Sequence, residues 1–329
     1  MARSASKISF APEICDSRMQ PQSPANGSLP HLKTDGRKIL VIYNPIAGQR
    51  RQQLYGATLK ILGEFGVHVV ERWTSRRGDA ERFASETLTD EYDAIAVAGG
   101  DGTINEAING LRSTSPPLAI VPLGTANVLA AELNLKTDPT LIAHTIGAAQ
   151  PSPIHVGIIN ERKFVMMAGV GIDSHVVQSV STKLKRITGK GAYIWQTLVE
   201  LVRFPSPVYT VTIDGIPHEV GSAVFANGHY YGGKFVTAPE ARLEDPVLYA
   251  CLLTGRGRWN LIRYGVALAG NRLTRLSDVT TIEFEQAVID GPAGDPVHAD
   301  GDIIGSLPAT IRADTTPLHV LRPTGVSKS

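Results

Sequence analysis

Cysteine is almost missing from this 329-residue chain. Only Cys15 and Cys251 occur, far apart, which excludes a disulfide framework and a cysteine-rich zinc site and fits a reducing cytoplasm. An excess of charge of either sign is missing too. Thirty-two Lys and Arg face 31 Asp and Glu, for a net charge of +1, so no global field points to nucleic acid as a partner. Long hydrophobic runs are also lacking. The longest candidate, residues 118–135, is broken by Pro122, Gly124, Asn127 and Glu132 and falls short of the roughly 18 to 20 unbroken apolar residues that span a bilayer. The N-terminus mixes Arg3, Lys7, Glu13 and Asp16 without an apolar stretch of signal-peptide length. The expectation is a protein neither exported nor anchored by a transmembrane segment. No internal repeat is evident.

What the chain does have is length and apolar content, 43% hydrophobic against 19% charged, enough for two packed cores. Residues 1–36, rich in Pro, Ser, Asn and Gly and without periodicity, read as a flexible arm outside the fold. From Lys38 a rhythm begins. KILVIYNP is a β-branched run ending in Asn44-Pro45, Tyr55, Leu59 and Leu62 follow at helical spacing, and VHVVERW is a second strand-like run. A helix-like stretch at 78–88 precedes YDAIAVAGG, and the pattern repeats through PLAIVPLG and a helix candidate at 126–135. Strands alternating with helices predict a parallel sheet covered on both faces, with ligands at the carboxyl ends of its strands. After about residue 151 the pattern changes. VYTVTIDGIPHEVGSAVFANG alternates around Asp214-Gly215, a dipeptide that favours a tight type I′ hairpin. Further strand-like runs follow at VLYACLLTG, VTTIEFEQ, VHADGD and LHVLRP, with helix-like stretches only near 191–204 and 259–273. The second half is therefore expected to be mostly antiparallel β.

The segment AIAVAGGDGTINEAINGL carries the first chemistry. Gly99, Gly100 and Gly102 let the backbone bend and approach a ligand with no Cβ in the way. The amides opening the helix that carries Ile104, Ala107, Ile108 and Leu111 on one face attract an anion, and a phosphate suits that pocket. Asp101 is then the odd residue. A carboxylate repels phosphate unless a cation intervenes, and Mg²⁺ with its waters resolves the conflict. The plain alternative is an Asp that merely caps the helix at an ordinary turn. The motif is neither the dinucleotide fingerprint nor a Walker loop with its G-K-[ST]. A second loop, PLGTAN, again sets glycine and threonine between an apolar run and a helix start, so two loops on neighbouring strand ends can flank one polyphosphate.

In order along the chain, IYNPIAGQRR, WTSRRGDA, AVAGGDGTINEAINGL, IVPLGTANVLA, MMAGVGID and HADGD resemble the lipid kinases of the diacylglycerol kinase catalytic type, which include bacterial diacylglycerol kinases and the sphingosine and ceramide kinases. The resemblance covers residues 38–323. GGDGT alone is shared with NAD kinases and 6-phosphofructokinases, which are not expected to carry PLGTAN and ADGD as well. The resemblance implies an N-terminal nucleotide-binding α/β domain with a parallel sheet, residues 37–155. It implies a C-terminal, mostly antiparallel β-sandwich for the lipid, residues 156–323, whose final strand returns to the first domain. ATP then lies in the cleft, and its γ-phosphate passes to a hydroxyl of a lipid such as diacylglycerol or a sphingoid base.

Motif by motif, the resemblance places Asn44 and Gly48 near the nucleotide and Thr74 on ATP. It places Gly99, Gly100, Asp101, Gly102, Thr103, Ile104 and Asn105 around the phosphates, Gly124 and Thr125 beside them, and Arg186 within reach of them. Asp300-Gly301-Asp302 matches the family's Asp-Gly-Glu, which makes Asp302 the candidate base although it is one methylene shorter. Its alternative is an exposed residue of a hairpin turn. Asp101 organises Mg²⁺ and its water, or serves as the base itself. Asp173 matches an acid that touches the lipid head group in the sphingosine kinase branch, and otherwise reads as a helix N-cap.

A structural Mg²⁺ is implied on the Asp245 side chain and the carbonyls of Arg242 and Val247. Here Pro246 stands where the family has Gly and Tyr249 where an acid is common, and a solvated turn acid is the other reading. Lys183, Lys185, Arg186 and Lys190 form a basic run that is either a solvated face or a contact for anionic headgroups, the latter giving a cytoplasmic protein peripheral to the inner membrane face. Val128 replaces the acid that many bacterial members carry after Gly-Thr-x-Asn, which brings GTANVLA closer to the sphingosine kinase form and weakens diacylglycerol as the implied substrate. An NAD kinase-like enzyme and a nucleotide-binding regulatory protein without turnover are the alternatives, and a homodimer is open.

Overall fold

The first rhythm builds a layered α/β unit. In a computed structural model that describes residues 36–48, 51–179 and 204–323, strands β1 (Lys38–Tyr43), β2 (His68–Trp73), β3 (Ala94–Gly99) and β4 (Leu118–Pro122) lie parallel in the order β2-β1-β3-β4. The arm at 1–35, Arg186, and the lysines at 183, 185 and 190 lie outside the described residues. Between the strands run α1 (Pro45–Gly48), α2 (Gln52–Glu64), α3 (Asp79–Ser85), α4 (Asp101–Gly110), α5 (Val128–Glu132) and α6 (Pro139–Ala148). Alternate strand residues go to opposite faces. Ile39, Val41 and Ala96 pack with Tyr55, Leu62 and Ile142 of α2 and α6, whereas Leu40, Ile42 and Val97 pack with Phe83, Ile104 and Ile108 of α3 and α4. With both faces covered, β3 and β4 are buried at every residue, which is why these strands read as unbroken apolar runs.

Helix α5 is shorter than the expected 126–135. Asn127 at φ 49° opens it and Asn134 at φ 56° terminates it, both in the left-handed region that asparagine tolerates better than most residues.

The second rhythm builds an antiparallel sandwich. Its strands are β5 (Pro151–Ile159), β6 (Arg162–Phe164), β7 (Met167–Val170), β8 (Tyr209–Ile213), β9 (Ile216–Val220), β10 (Ser222–Ala226), β11 (Tyr230–Tyr231), β12 (Phe235–Val236), β13 (Leu248–Leu253), β14 (Val279–Phe284), β15 (Gln286–Asp290), β16 (Pro296–Ala299), β17 (Asp302–Ser306) and β18 (Ala309–Leu321). Helix α7 (Ile172–Ser179) follows β7, and α8 (Arg258–Ala269) lies between β13 and β14. One sheet has the order β14-β13-β10-β7-β16-β17. The other is carried by β18, which pairs antiparallel with β5 and β15 and, at Val320, parallel with Leu118 of β4. The sandwich sheet and the parallel sheet are thus one continuous hydrogen-bonded surface. Asp214 and Gly215, at φ 49° and 78°, form the tight β8–β9 turn, the two positive values that a type I′ turn demands. Among the described residues no helix is long and apolar enough to cross a membrane.

One close helix contact in the α/β unit runs through a glycine. A Cβ on Gly110, the last residue of α4, would stand 2.1 Å from the Glu81 carbonyl oxygen of α3 and 3.1 Å from the Ala84 Cβ. We expect Gly110→Ala to force α3 and α4 apart and to cost about 1 to 3 kcal/mol, as overpacking does. Chemical denaturation checks this, and an unchanged midpoint would show that the helices reseat freely.

Candidate functional site

The carboxyl ends of the parallel strands converge, and Asn44 ties them together. Its backbone N–H donates to the Ala98 carbonyl at 2.9 Å, and the Thr74 N–H donates to the Tyr43 carbonyl at 2.9 Å. Its side-chain oxygen accepts from the N–H groups of Ile46 and Ala47, at 3.0 and 3.2 Å, and so opens the short α1 that ends at Gly48. Its Nδ2 donates to Thr103 Oγ1 at 2.8 Å. Thr103 is thereby folded over Gly99, where a Cβ would meet the Thr103 Cβ at 2.7 Å.

The two glycine loops abut directly. The Leu123 N–H donates to the Gly99 carbonyl at 2.9 Å, and a Cβ on Gly124 would lie 2.6 Å from the Gly100 Cα. Asp101 crosses between them, its Oδ1 accepting the Val128 N–H at 2.7 Å. It belongs to the first turn of α4 yet caps the neighbouring α5, which places a carboxylate against the positive end of that helix. Burial pushes the Asp101 carboxyl above its ordinary value. The amides of Val128, Asn127 and Leu129 oppose that rise, and the nearby Asp300 charge adds to it. Thr125 is exposed on the second loop, and Ile104 is a core residue that supports the first loop from beneath.

Asn105 joins this loop to the sandwich. Its Nδ2 donates at 2.7 Å to Asp300 Oδ2, and the same oxygen accepts the Val165 N–H at 2.7 Å. Asp300 Oδ1 takes the N–H groups of Met166 and Met167 at 2.9 and 3.1 Å. Burial raises the Asp300 carboxyl even against these four donors. A cavity of about 30 Å³ lies between Asp101, Asn105, Asp300 and residues 165–167, large enough to hold water. One turn further along α4, Asn109 exchanges hydrogen bonds with the Lys163 backbone at 2.9 and 3.0 Å. Lys163 Nζ donates to the Leu111 carbonyl at 2.5 Å and so caps the helix end.

Asp300 and Gly301, at φ 47° and 81°, make the β16–β17 hairpin turn, and Asp302 follows it. That acid is at a hairpin turn, as one of its two readings has it. Its side chain is 44% exposed at a hairpin, yet it pairs with Arg77 Nη2 at 2.7 Å, and its Oδ2 lies 4.0 Å from where a Gly102 Cβ would stand. The carboxylate therefore faces the first turn of α4 across the cleft. Beside it, Glu106 accepts the Gly78 N–H at 3.0 Å. Burial raises the Glu106 carboxyl, and a second cavity of about 90 Å³ holds Glu106, Asp302, Arg77 and Lys163.

Asp173 belongs to a different cluster. It lies within the first turn of α7 and contacts the buried His298 Nε2 of β16 at 2.5 Å. Burial works to raise its carboxyl, but the His298 charge and hydrogen bonds from His298 and Tyr231 outweigh it and hold the group below its ordinary value. Gly169 makes room for the pair, since a Cβ there would come 2.6 Å from His298 Nε2.

Arg242, Asp245 and Val247 share one turn, in which the Asp245 N–H already donates to the Arg242 carbonyl at 3.2 Å. One carboxylate and two backbone carbonyls are a sparse set of oxygens, which a Mg²⁺ would have to complete with waters. Among the described residues no group of three or more His, Cys, Asp or Glu is placed to hold a metal.

Sequence reasoning passed over Arg77, Glu106, Asn109, Lys163 and His298. All but Lys163 fall inside the motifs that carry the resemblance, and Asn105 and Asn109 are one helical turn apart, but none of the five was assigned a role.

Two family models match the chain. The diacylglycerol kinase catalytic domain matches residues 38–159, and the YegS C-terminal NAD kinase beta sandwich-like domain matches residues 166–322. A diacylglycerol kinase of Mycobacterium tuberculosis is 30% identical over 297 residues, covering 87% of this chain and 95% of the relative. A diacylglycerol kinase of Bacillus subtilis is 27% identical over 294 residues, covering 87% and 97%. The crystal structure of a diacylglycerol kinase from Bacillus anthracis superposes with a TM-score of 0.70 at 24% identity, covering 89% of this chain and 99% of that one. At that identity the superposition speaks to the fold.

The two aspartates of the β16–β17 turn should behave oppositely. Asp300→Ala leaves three buried N–H groups and the Asn105 amide without their acceptor, which we expect to cost at least about 3 kcal/mol. Asp302→Ala removes only a half-exposed ion pair and should cost less than about 1 kcal/mol. Denaturant titrations of the two variants decide it, and equal losses would refute the division.

Proposed function

This chain belongs to the diacylglycerol kinase family, and on that premise we propose that its cleft transfers the γ-phosphate of ATP to a lipid hydroxyl with Asp302 as the general base. The observation that carries this assignment is the position of Asp302, a carboxylate facing the glycine-rich start of α4 from the opposite wall. A base must lie about 3 Å from the attacking hydroxyl or reach it through one water. The phosphate loops sit at the strand ends of one unit and Asp302 on the other, so nucleotide and lipid approach each other across the cleft.

We assign the nucleotide phosphates to the backbone of Gly99, Gly100, Gly102, Thr103 and Gly124. The close Gly100–Gly124 contact leaves no Cβ between the two loops. Asn44 holds Thr103, and through it the loop, in register with the end of β1. Arg77 places a cation beside Asp302, where it helps to balance charge as phosphate and carboxylate come together. Phosphoryl transfer leaves a protein chiefly this positioning and charge balance to supply. Mg²⁺ bound with ATP would supply neutralisation of phosphate charge. The acid that suits it at this loop is Asp101, which lines the 30 Å³ cavity beside Asp300. Asp245 contributes no step.

For the lipid, Asp173 offers an anion kept ionised by His298, an acceptor that favours a substrate rich in hydroxyl or ammonium donors. Diacylglycerol and sphingoid bases both remain within that class. The deciding experiment is incubation of the purified protein with γ-labelled ATP, Mg²⁺ and either lipid, with NAD as a control acceptor. Label on NAD alone would overturn the lipid assignment.

Two substitutions test the roles. Asp302→Ala should abolish lipid phosphorylation while ATP binding survives, and Asp302→Glu should retain measurable turnover. Wild-type turnover in the alanine variant would move the base to Asp101.

Asp101→Asn keeps an acceptor for the Val128 N–H but deletes the charge, so turnover should fall by ~10² to 10⁴. Because the folded-state value of Asp101 is raised, ionising it opposes folding, and its contribution to stability is present at low pH and lost as pH rises through that value. The Asn variant should therefore melt no lower than wild type at neutral pH. A clear drop in melting temperature would show that the charge stabilises the loop.

A further inference from the structure

The outward face of α8 has no part in the cleft. This helix turns Leu261 and Tyr264 into the core and Trp259, Ile262 and Val266 to solvent, at 79%, 40% and 70% exposure. At about 100° per residue these three, with exposed Ala269, occupy an arc of about 80°, and Arg258 and Arg263 stand just beyond its two edges. Large exposed apolar groups at helical spacing are not the ordinary scatter of single surface residues.

The charge around the stripe has one sign. Residues 255–277 contain five arginines and no acid, although the chain as a whole is close to neutral. Arg263 is ion-paired with Asp278, the first acid beyond the stretch. Among the described residues Arg256, Arg258, Arg272 and Arg275 make no ion pair. An apolar stripe headed by Trp and edged by cations matches the headgroup boundary of an anionic bilayer. There the indole sits at the interface and each basic side chain adds electrostatic attraction.

The face is also connected to the substrate side. The short hairpin of β11 and β12 packs β11 against α5 and β12 against α8. The Val236 N–H donates to Asn271 Oδ1, just after α8, at 3.1 Å. At the other end of the hairpin Tyr231 bonds Asp173.

We propose that α8 is a membrane-docking helix that lies in the surface of an anionic phospholipid bilayer and sets the β11–β12 hairpin and Asp173 beside it. The proposal rests on the lipid kinase reading for its purpose, but the binding it describes needs neither ATP nor turnover.

The test uses the full chain and vesicles of phosphatidylglycerol with phosphatidylcholine, compared with phosphatidylcholine alone, without nucleotide. Wild type should sediment with the anionic vesicles. The double substitution Trp259→Gln with Val266→Gln should lower partitioning at least about tenfold. Replacing Arg256, Arg258, Arg272 and Arg275 by Gln should do the same, with added salt mimicking it because exposed charges are screened. Phosphorylation of a short-chain, water-soluble lipid alcohol should be unchanged in both variants. Vesicle binding equal to wild type in either variant would overturn the proposal. So would unchanged vesicle binding together with loss of a wild-type dimer in the Trp259 and Val266 variant, which would make this face a contact between copies of the chain. If vesicle binding behaves as expected while no lipid is phosphorylated, the docking face stands and the kinase reading falls.

Discussion

One largely enclosed carboxylate holds the two halves of the cleft in register. Asp300 accepts three successive backbone N–H groups, from Val165 to Met167, and the Asn105 amide of α4. The first three contacts fix the turn between β16 and β17 to the start of β7, and the fourth fixes that turn to the phosphate-loop helix. Because Asp302 is two residues further on, its position relative to Gly102 is inherited from Asp300. Burying a charge is costly unless it is hydrogen-bonded, and here donors from both halves of the protein offset part of that cost. Separating the halves would strand the charge, so the carboxylate couples domain docking to site geometry.

The phosphate loops are governed by a second constraint, the contact of Gly100 with Gly124. Loops this close leave no space for side chains at the contact, and the gap is spanned instead by Asp101, whose oxygen caps α5. This accounts for an acid inside a phosphate loop. Its oxygen is directed at the amides of a neighbouring helix, which is the capping role of the plain reading, exercised on a helix other than its own. Arg77 likewise sets a cation against the Asp302 carboxylate.

Part of the site was therefore visible to local reasoning and part was not. GGDGT announced its strand–turn–helix context, since glycine, helix start and apolar periodicity are all local properties. Asp300 was visible only as half of an Asp-Gly turn. Nothing in HADGD reveals that its first acid serves residues 165–167, more than 130 positions earlier in the chain. His298 was likewise passed over, because its partner Asp173 is 125 residues away.

By itself the sequence determined the alternation of strand and helix up to β4, the change to antiparallel strands after it, the turn at Asp214-Gly215, and the family. Each of these is written in neighbouring residues, through periodicity, turn chemistry or contiguous motifs. Only the tertiary structure decided the register in which β18 meets β4, that Asp101 caps a helix other than its own, and which of the two acids at the β16–β17 turn gathers four hydrogen bonds. It alone decided that the apolar residues of α8 divide between core and solvent. These depend on long-range contacts, where burial and hydrogen-bond satisfaction are settled by what else arrives at the same place, and local pattern carries no record of that.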